Sequence, residues 1–490
     1  MARALDFGAR HPVSPITLSY DLALGVGVAI VAVAILFAVF RLDDMIFDAM
    51  YWWTFFVHLH ATWRGNTTVE ELHELPQQRI AIFVACWHEE DVIEQMIEYA
   101  TSAIDYEHFD ILVGVYPNDD ATRSKVEALA SRYPNVHAVV NDKPGPTTKA
   151  QNLNCVYRAM LAIEGDDPFD IVVLHDVEDV IHPLSLRLYN RFVPESQLLQ
   201  IPVFALEYPW YEFVGWTYAD EFAKNHCKDM LLRERLGAFV PSAGVGTAFA
   251  RGGLDRVAES EHDLFPEGAL TEDYQFALRL YQHGLRTSFA LLRLSPQHLG
   301  LPKTAAAYIA TREYFPNKAN AAIRQKSRWV AGICLQAWQR TGWHGNLATR
   351  YMLYRDRRGL IGNLGAFVGY VVFAASVGLV VWHAFDRRVF TPIVPNDRWV
   401  WVLLLFVLFS TLLELVQAAC FTTWIYGRQA GLLSTLRAPV AAYINGRATI
   451  RALRTFFGSL IRGEPMKWAK TAHVFPSSAT LETFTRDATS

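Results

Sequence analysis

Cysteine is scarce, with 5 among 490 residues, and Cys86, Cys155, Cys227, Cys334 and Cys420 are scattered with no C-x-x-C. That spacing argues against a disulfide framework and a zinc site, and predicts buried thiols in a reducing compartment. Net charge is also small: 45 Lys and Arg stand against 49 Asp and Glu, a formal −4. No bulk basic field therefore invites nucleic acid as a partner. Two phosphate-binding signatures are missing. No G-x-x-x-x-G-K-[ST] occurs, and where G-x-G-x-x-G would follow a first strand the chain reads Cys86-Trp87-His88-Glu89-Glu90. A Rossmann oxidoreductase thus lacks its pyrophosphate cradle.

What is abundant is apolar and aromatic. A mean hydropathy of +0.12, 13% aromatic residues and 14 Trp point to a membrane protein with a sizeable soluble part. After an N-terminal segment (1–20), Leu22 to Phe40 is uncharged between Asp21 and Arg41, which predicts a span over 21–41. The polar residues ahead of it argue against a cleaved signal peptide. Residues 42–75 read as a linker whose Tyr51, Trp52, Trp53, Phe55 and Phe56 suit either a membrane surface or a core helix. Residues 359–385 carry no charge and 399–427 only Glu414, which predicts two more spans. Arg350, Arg355, Arg357 and Arg358 precede the first, and 428–470 hold eight Lys or Arg against one Glu. Both flanks are then cytoplasmic, with 386–398 outside, although Arg3 and Arg10 oppose the orientation this gives the first span. The tail 428–490, with apolar faces around Leu432, Val440, Ile444, Ile450, Leu453, Phe456 and Leu460, reads as interfacial. Glu414, costly inside a span, either lines a polar path or pairs with a neighbouring helix.

Between the spans, residues 76–345 alternate strand and helix. Apolar runs at Arg79 to Cys86, Asp110 to Tyr116, Val136 to Val140 and Ile171 to Leu174 are separated by helical spacing at Asp91 to Ala103, at Thr122 to Arg132 and from Lys149. That order predicts βαβ units, a parallel sheet and an α/β domain.

Five clusters carry chemistry. Ile171 to Leu174 empties into His175-Asp176-Val177-Glu178-Asp179. Asp176 and Glu178, two apart on an extended chain, suit Mg²⁺ or Mn²⁺ shared with a diphosphate, or are an ordinary acidic strand end; Asp179 caps the next segment. In Tyr116-Pro117-Asn118-Asp119-Asp120 a carboxylate faces a uracil or ribose, or caps the next helix. Lys149, with Asn152 and Asn154, stands at a helix start that a cation opposes, so its charge serves a nucleotide or is simply solvated. Glu272 and Asp273, in Leu270-Thr271-Glu272-Asp273, offer a base for a sugar hydroxyl or a helix-start acid pair. On a helix, Gln325, Arg328 and Trp329 put an amide, a diphosphate-binding guanidinium and a stacking ring on one face.

Together these residues resemble the membrane-bound processive family 2 glycosyltransferases, the group of cellulose, chitin and hyaluronan synthases, over about 76–345 and the flanking spans. Thr271-Glu272-Asp273 and Gln325 to Trp329 are the specific matches; Glu178 stands where an aspartate is usual. The resemblance implies a GT-A, Rossmann-like transferase domain and inversion at the anomeric carbon. It implies Asp273 as the base, Asp119 or Asp120, Lys149 and Asp176 at the donor nucleotide, and Asp176 with Glu178 at Mg²⁺ or Mn²⁺. Gln325, Arg328 and Trp329 then meet acceptor and diphosphate, and Gly244-Val245-Gly246-Thr247-Ala248-Phe249 lies near the acceptor. The implied partners are a nucleotide-sugar donor such as a UDP-sugar, a glycan acceptor, the lipid of a bacterial inner membrane and an outer-membrane export partner, with no nucleic acid. Exopolysaccharide synthesis is the implied setting; the rival is an inactive membrane receptor or secretion scaffold on the same fold. His175 to Pro183, Arg312 to Lys318 and Trp468 to Pro476 narrow the resemblance to inner-membrane enzymes that carry a further C-terminal regulatory domain of the kind that binds cyclic dinucleotides. The chain is expected to stop before such a domain.

Overall fold

Three of the four apolar runs become central strands because each can bury both of its faces, while the fourth, Val136 to Val140, forms an edge strand that stays partly exposed. The computed structural model describes residues 15–57, 68–261, 263–293, 308–464, 466, 474–477 and 480–481. Arg3, Arg10 and most of the segment 468–476 lie outside them. The chain opens with α1 (Pro15–Val57), α2 (Val69–Glu74), β1 (Ile80–Ala85), α3 (Ile93–Ala103), β2 (Phe109–Val115), α4 (Asp120–Arg132), β3 (Val136–Val140), α5 (Lys149–Ile163) and β4 (Ile171–His175). It continues through α6 (Ser185–Phe192), β5 (Leu198–Gln200), β6 (Val203–Ala205), α7 (Phe213–Lys224), α8 (Met230–Arg235), β7 (Thr247–Ala250) and α9 (Arg251–Ala258). Then come α10 (Glu272–Gln282), β8 (Thr287–Phe289), β9 (Thr311–Glu313), α11 (Ala319–Trp329), α12 (Ala337–Thr341), α13 (Leu347–Phe385), α14 (Arg398–Tyr426) and α15 (Arg428–Arg462).

Seven strands form one sheet in the order β3-β2-β1-β4-β7-β5-β8, and β6 pairs with β9 separately. β3, β2, β1 and β4 are mutually parallel, with Ile80 opposite both Phe109 and Ile171. Alternate residues enter two cores: Ile80, Ile82, Ile171 and Val173 on one face, Ala81, Phe83, Val172 and Leu174 on the other. At about 1.5–3 kcal/mol for each fully buried Val, Ile or Leu, this two-sided burial defines the centre of the sheet. Gly114 lets β2 lie against α5, since a Cβ there would stand 1.8 Å from Asn152 Oδ1. The far half of the sheet departs from the parallel expectation, because β7 runs antiparallel to both β4 and β5. Strands of three or four residues are too short to show a period.

By contacts the chain divides into a unit of residues 1–48 and 361–414 and a unit of residues 49–360 and 415–490. The described residues of the first are mostly helical. Helices at Thr17–Val57, Leu347–Phe385 and Arg398–Tyr426 are long and apolar enough to cross a membrane; the first two extend beyond the uncharged runs that announced them, and the third matches its run to within a residue at each end. In this unit Gly27 lets residue 393 come close, with Ile393 N donating to Ala23 O at 3.0 Å. Glu414 lies 3.5 Å from Arg41, so the acid in the third long helix has a cationic partner.

The second unit holds both sheets. Its aromatic group is a packed cluster in which Tyr51 is buried and donates to Cys227 O at 3.0 Å, and Trp52 stacks on Phe421. α15 is tied to α7 by Arg437, 1% exposed, whose Nε and Nη2 both reach Asp220 at 2.7 Å. All five cysteines are free; Cys86, Cys227 and Cys334 are buried, Cys155 is half-buried and Cys420 is exposed, against the expectation of five buried thiols.

Candidate active site

The site begins at the carboxyl end of β4. There the chain turns back on itself: Asp179 Oδ2 accepts from Asp176 N at 3.0 Å and lies 2.7 Å from His175 Nδ1. Asp179 therefore closes the turn instead of capping the segment after it. Burial presses the His175 imidazole down to about 3 and lifts the Asp179 carboxyl well above the usual carboxylate range. This buried tie holds Asp176 and Glu178 at the mouth of the strand, and both line a cavity of 130 Å³.

Three further segments converge on that cavity. Lys149 enters from the first turn of α5, whose start Thr148 caps by accepting from Gln151 N. Its Nζ lies 2.5 Å from Asp176 Oδ1 and donates to Gly244 O at 3.4 Å. Burial would lower this ammonium, but Asp176, Glu272 and Asp273 outweigh it and hold the group above its usual value. Glu272 and Asp273 open α10 and also line the cavity. Burial raises the Asp273 carboxyl, opposed by the Tyr274 amide, which donates to Oδ1 at 2.7 Å, and by the charges of Lys149 and Arg328. Glu272 is pushed up to about 7 by burial and by Asp273. Gly244 sits at φ +80, where a Cβ would come within 2.8 Å of Asp273 Oδ2, so glycine serves both the backbone and the close approach.

Gln325, Arg328 and Trp329 arrive from α11. The π-helical stretch Val330–Gln336 that continues α11 docks it on the Thr271 loop. A Cβ on Gly332 would lie 2.4 Å from Thr271 Oγ1, and Gln336 accepts from Leu270 N and donates to Gly268 O, both at 2.8 Å. On the other side of α11, Lys326 pairs with Glu221 at 2.6 Å and donates to Asn445 of α15 at 3.1 Å. The Trp329 ring packs 6.0–6.3 Å from Tyr218, Phe222 and Phe315 while still facing the cavity. That nest fixes its plane.

Asp119 and Asp120 are not brought to the cavity. Asp119 caps α4, accepting from Thr122 N at 3.4 Å and from His88 N at 2.7 Å. With His88 and Glu90 it forms a group whose ligand atoms lie within 4.8 Å of one another. Asp120 has a side chain 81% exposed and pairs with Arg123. Asn152 donates to Gly114 O, and Asn154 holds Phe265 by its N–H and its carbonyl, so both brace α5. Sequence reasoning missed Glu313, a buried acid on β9 lining the cavity, which burial, Asp179 and Asp176 raise well above its usual value. It also passed over Trp87 and Glu89, which line the cavity after β1. β9 reads Thr311-Arg312-Glu313, with no apolar residue to mark it as a buried strand, so no hydropathy pattern singled out Glu313.

Residues 76–332, just over half of the chain, match the family described as "Glycosyltransferase like family 2". The chain belongs to that family. Its α/β sheet with central parallel strands and its flanking apolar helices agree with the GT-A expectation. The family 2 chain is 37% identical over 470 residues to the bacteriophage adsorption protein B of Escherichia coli (strain K12), covering 92% of this chain and 63% of the relative. The same figures hold for bacteriophage N4 adsorption protein B of Escherichia coli O157:H7. The chain thus spans less than two thirds of the length of these curated relatives. Among solved structures it is similar to a mannosyltransferase from Pyrobaculum calidifontis in complex with GDP-Man and Mn²⁺, at TM-score 0.47 and 15% identity, covering 86% of this chain and 98% of that one. It is also similar to TarS 1–349 of S. aureus, at TM-score 0.32 and 12% identity, covering 82% and 98%.

Proposed function

We propose that this chain transfers a sugar from a nucleotide-diphosphate donor, a UDP-sugar, to the hydroxyl of a growing glycan, with inversion at the anomeric carbon. The observation that carries the reading is the convergence of Asp176, Glu178, Lys149, Asp273 and Arg328 from four separate segments on one cavity. Lys149 and Arg328 supply cations for the departing diphosphate. Asp273, a carboxyl raised by burial, takes the proton of the attacking hydroxyl. The hydroxyl oxygen bonds to the anomeric carbon from the face opposite the diphosphate as the old carbon–oxygen bond breaks, and the electron pair leaves on the nucleoside diphosphate. Trp329, its plane fixed by Tyr218, Phe222 and Phe315, offers a face to the acceptor ring and keeps water from the reacting carbon.

A hard divalent ion fits the donor set, since Asp176 and Glu178 present oxygen ligands to the same cavity and a cation, Lys149, already stands against Asp176. Bound there, Mg²⁺ or Mn²⁺ would add Lewis-acid stabilisation of the leaving diphosphate. The three long apolar helices and the arginines before and after them support placement in a bacterial inner membrane with the catalytic unit in the cytoplasm. We assign the product to exopolysaccharide synthesis, with an outer-membrane partner receiving it.

The test is mass spectrometry of the products made by the purified full chain from a panel of UDP- and GDP-sugars. The proposal expects a glycoside from a UDP-sugar, with the stereochemistry inverted. Intact donors throughout the panel would support the scaffold reading instead.

A further inference from the structure

A second cavity, of 360 Å³, lies beside the first and shares Leu270, Phe315, Gln325 and Arg328 with it. The two differ sharply in charge. Six carboxylates line the first, from Glu89, Asp176, Glu178, Glu272, Asp273 and Glu313. Among the described residues no carboxylate lines the second, while Lys318, Arg324, Arg328 and Arg451 all do.

Arg328 also faces the carboxylates of the first cavity, whereas local structure gives the other three cations no partner. Lys318 stands at the N-cap of α11, where the helix dipole opposes a positive charge. Arg324 and Arg328 are one helical turn apart, a like-charge pair that repels, and Arg451 adds a further positive charge from α15. Lys318, Arg324 and Arg451 have no ion-pair partner among the described residues. Gln325, between the two cavities, carries a buried amide oxygen with no hydrogen-bond partner among the described residues. An aromatic wall completes the chamber: the rings of Tyr208 and Tyr314 lie 5.0 Å apart, and the Tyr208 hydroxyl donates to Phe315 O at 2.8 Å. Four converging cations with an aromatic wall suit a sugar that carries a concentrated negative charge. A phosphate monoester, at about −2 near neutral pH, matches that better than a single carboxylate.

We propose that this second cavity is the acceptor subsite and that the acceptor it takes bears a phosphate group beside the sugar or lipid that is extended. This rests on the glycosyl-transfer reading, because only that reading makes the neighbouring cavity a donor site. Arg324 and Arg451 are then specificity residues, and Gln325 and Arg328 join the two subsites. The phosphate can come from a prenyl-phosphate lipid or from a soluble sugar phosphate, both of which present the same group.

The experiment measures binding to the purified full chain by titration calorimetry, independently of turnover. Farnesyl phosphate in micelles is compared with farnesol, and glucose 6-phosphate with glucose. Wild type is compared with the double variant Arg324→Gln/Arg451→Gln, and UDP serves as donor-side control. At least one phosphate probe is expected to bind about tenfold or more tightly than its neutral counterpart. The double variant should lose at least about tenfold of that preference while its UDP affinity stays within about twofold. The arm that responds identifies the source. Equal binding of phosphate and neutral probes in both arms overturns the proposal, as does a preference untouched in the double variant or one lost only together with UDP binding. A chain that transfers sugar yet shows no phosphate preference refutes the subsite alone; one that cleaves no donor refutes the functional reading on its own terms.

Discussion

Glu272 and Asp273 are adjacent in the chain, and the same burial raises both. For a general base the sign is direct: the active form is the carboxylate, so activity falls as pH drops through the raised value. The acid limb of the rate profile should therefore lie above the range of an ordinary aspartate. An acid limb at the usual aspartate value in wild type would contradict this. At the strand end, Glu178→Ala should raise the Mg²⁺ or Mn²⁺ concentration needed for half-maximal turnover about tenfold or more. Turnover equal to wild type in chelator would count against a metal there. A place in the cavity was legible where one motif marked it, as at Asp176, Asp273 and Arg328. Where local capping competed, two readings stayed open: Asp119 and Asp120 sit at a strand end like Asp176, but a helix starts at once and takes Asp119 as its cap.

α11 carries three of the expected residues, and its position depends on elements far away in sequence. Gly332 and Gln336 press it on the Thr271 loop, Lys326 ties it to α7 and α15, and Arg437 ties α15 to α7. None of this was legible, because a buried ion pair has no periodic signature and Asp220 and Arg437 stand more than 200 residues apart. Burial raises the Asp220 carboxyl even with Arg437 present. Arg437→Met leaves that charge without its partner and should cost about 3–5 kcal/mol. Thermal unfolding and limited proteolysis within 428–462 report it, and an unchanged melting temperature would show that α15 docks by apolar contact alone. The long helices were legible as uncharged runs but not in extent, since α1 and α13 continue through Asp43, Asp44, Arg355 and Asp356, which a hydropathy window rejects.

At the scale of the molecule, a two-sided apolar pattern marked the parallel half of the sheet, whereas the antiparallel β7 and the short β5 and β8 left no pattern to read. Convergence is what the sequence hides and the fold supplies: positions 149, 176, 178, 273 and 328 meet only because the ends of β4, α5, α10 and α11 open on one cavity. Within that cavity Asp273 is the base of the proposed reaction. The most direct measurement is turnover and donor binding of Asp273→Asn, a nearly isosteric change, in the purified full chain. Loss of sugar transfer by roughly a hundredfold or more, with nucleotide-sugar affinity kept, is the predicted result. Undiminished transfer by that variant would contradict the account.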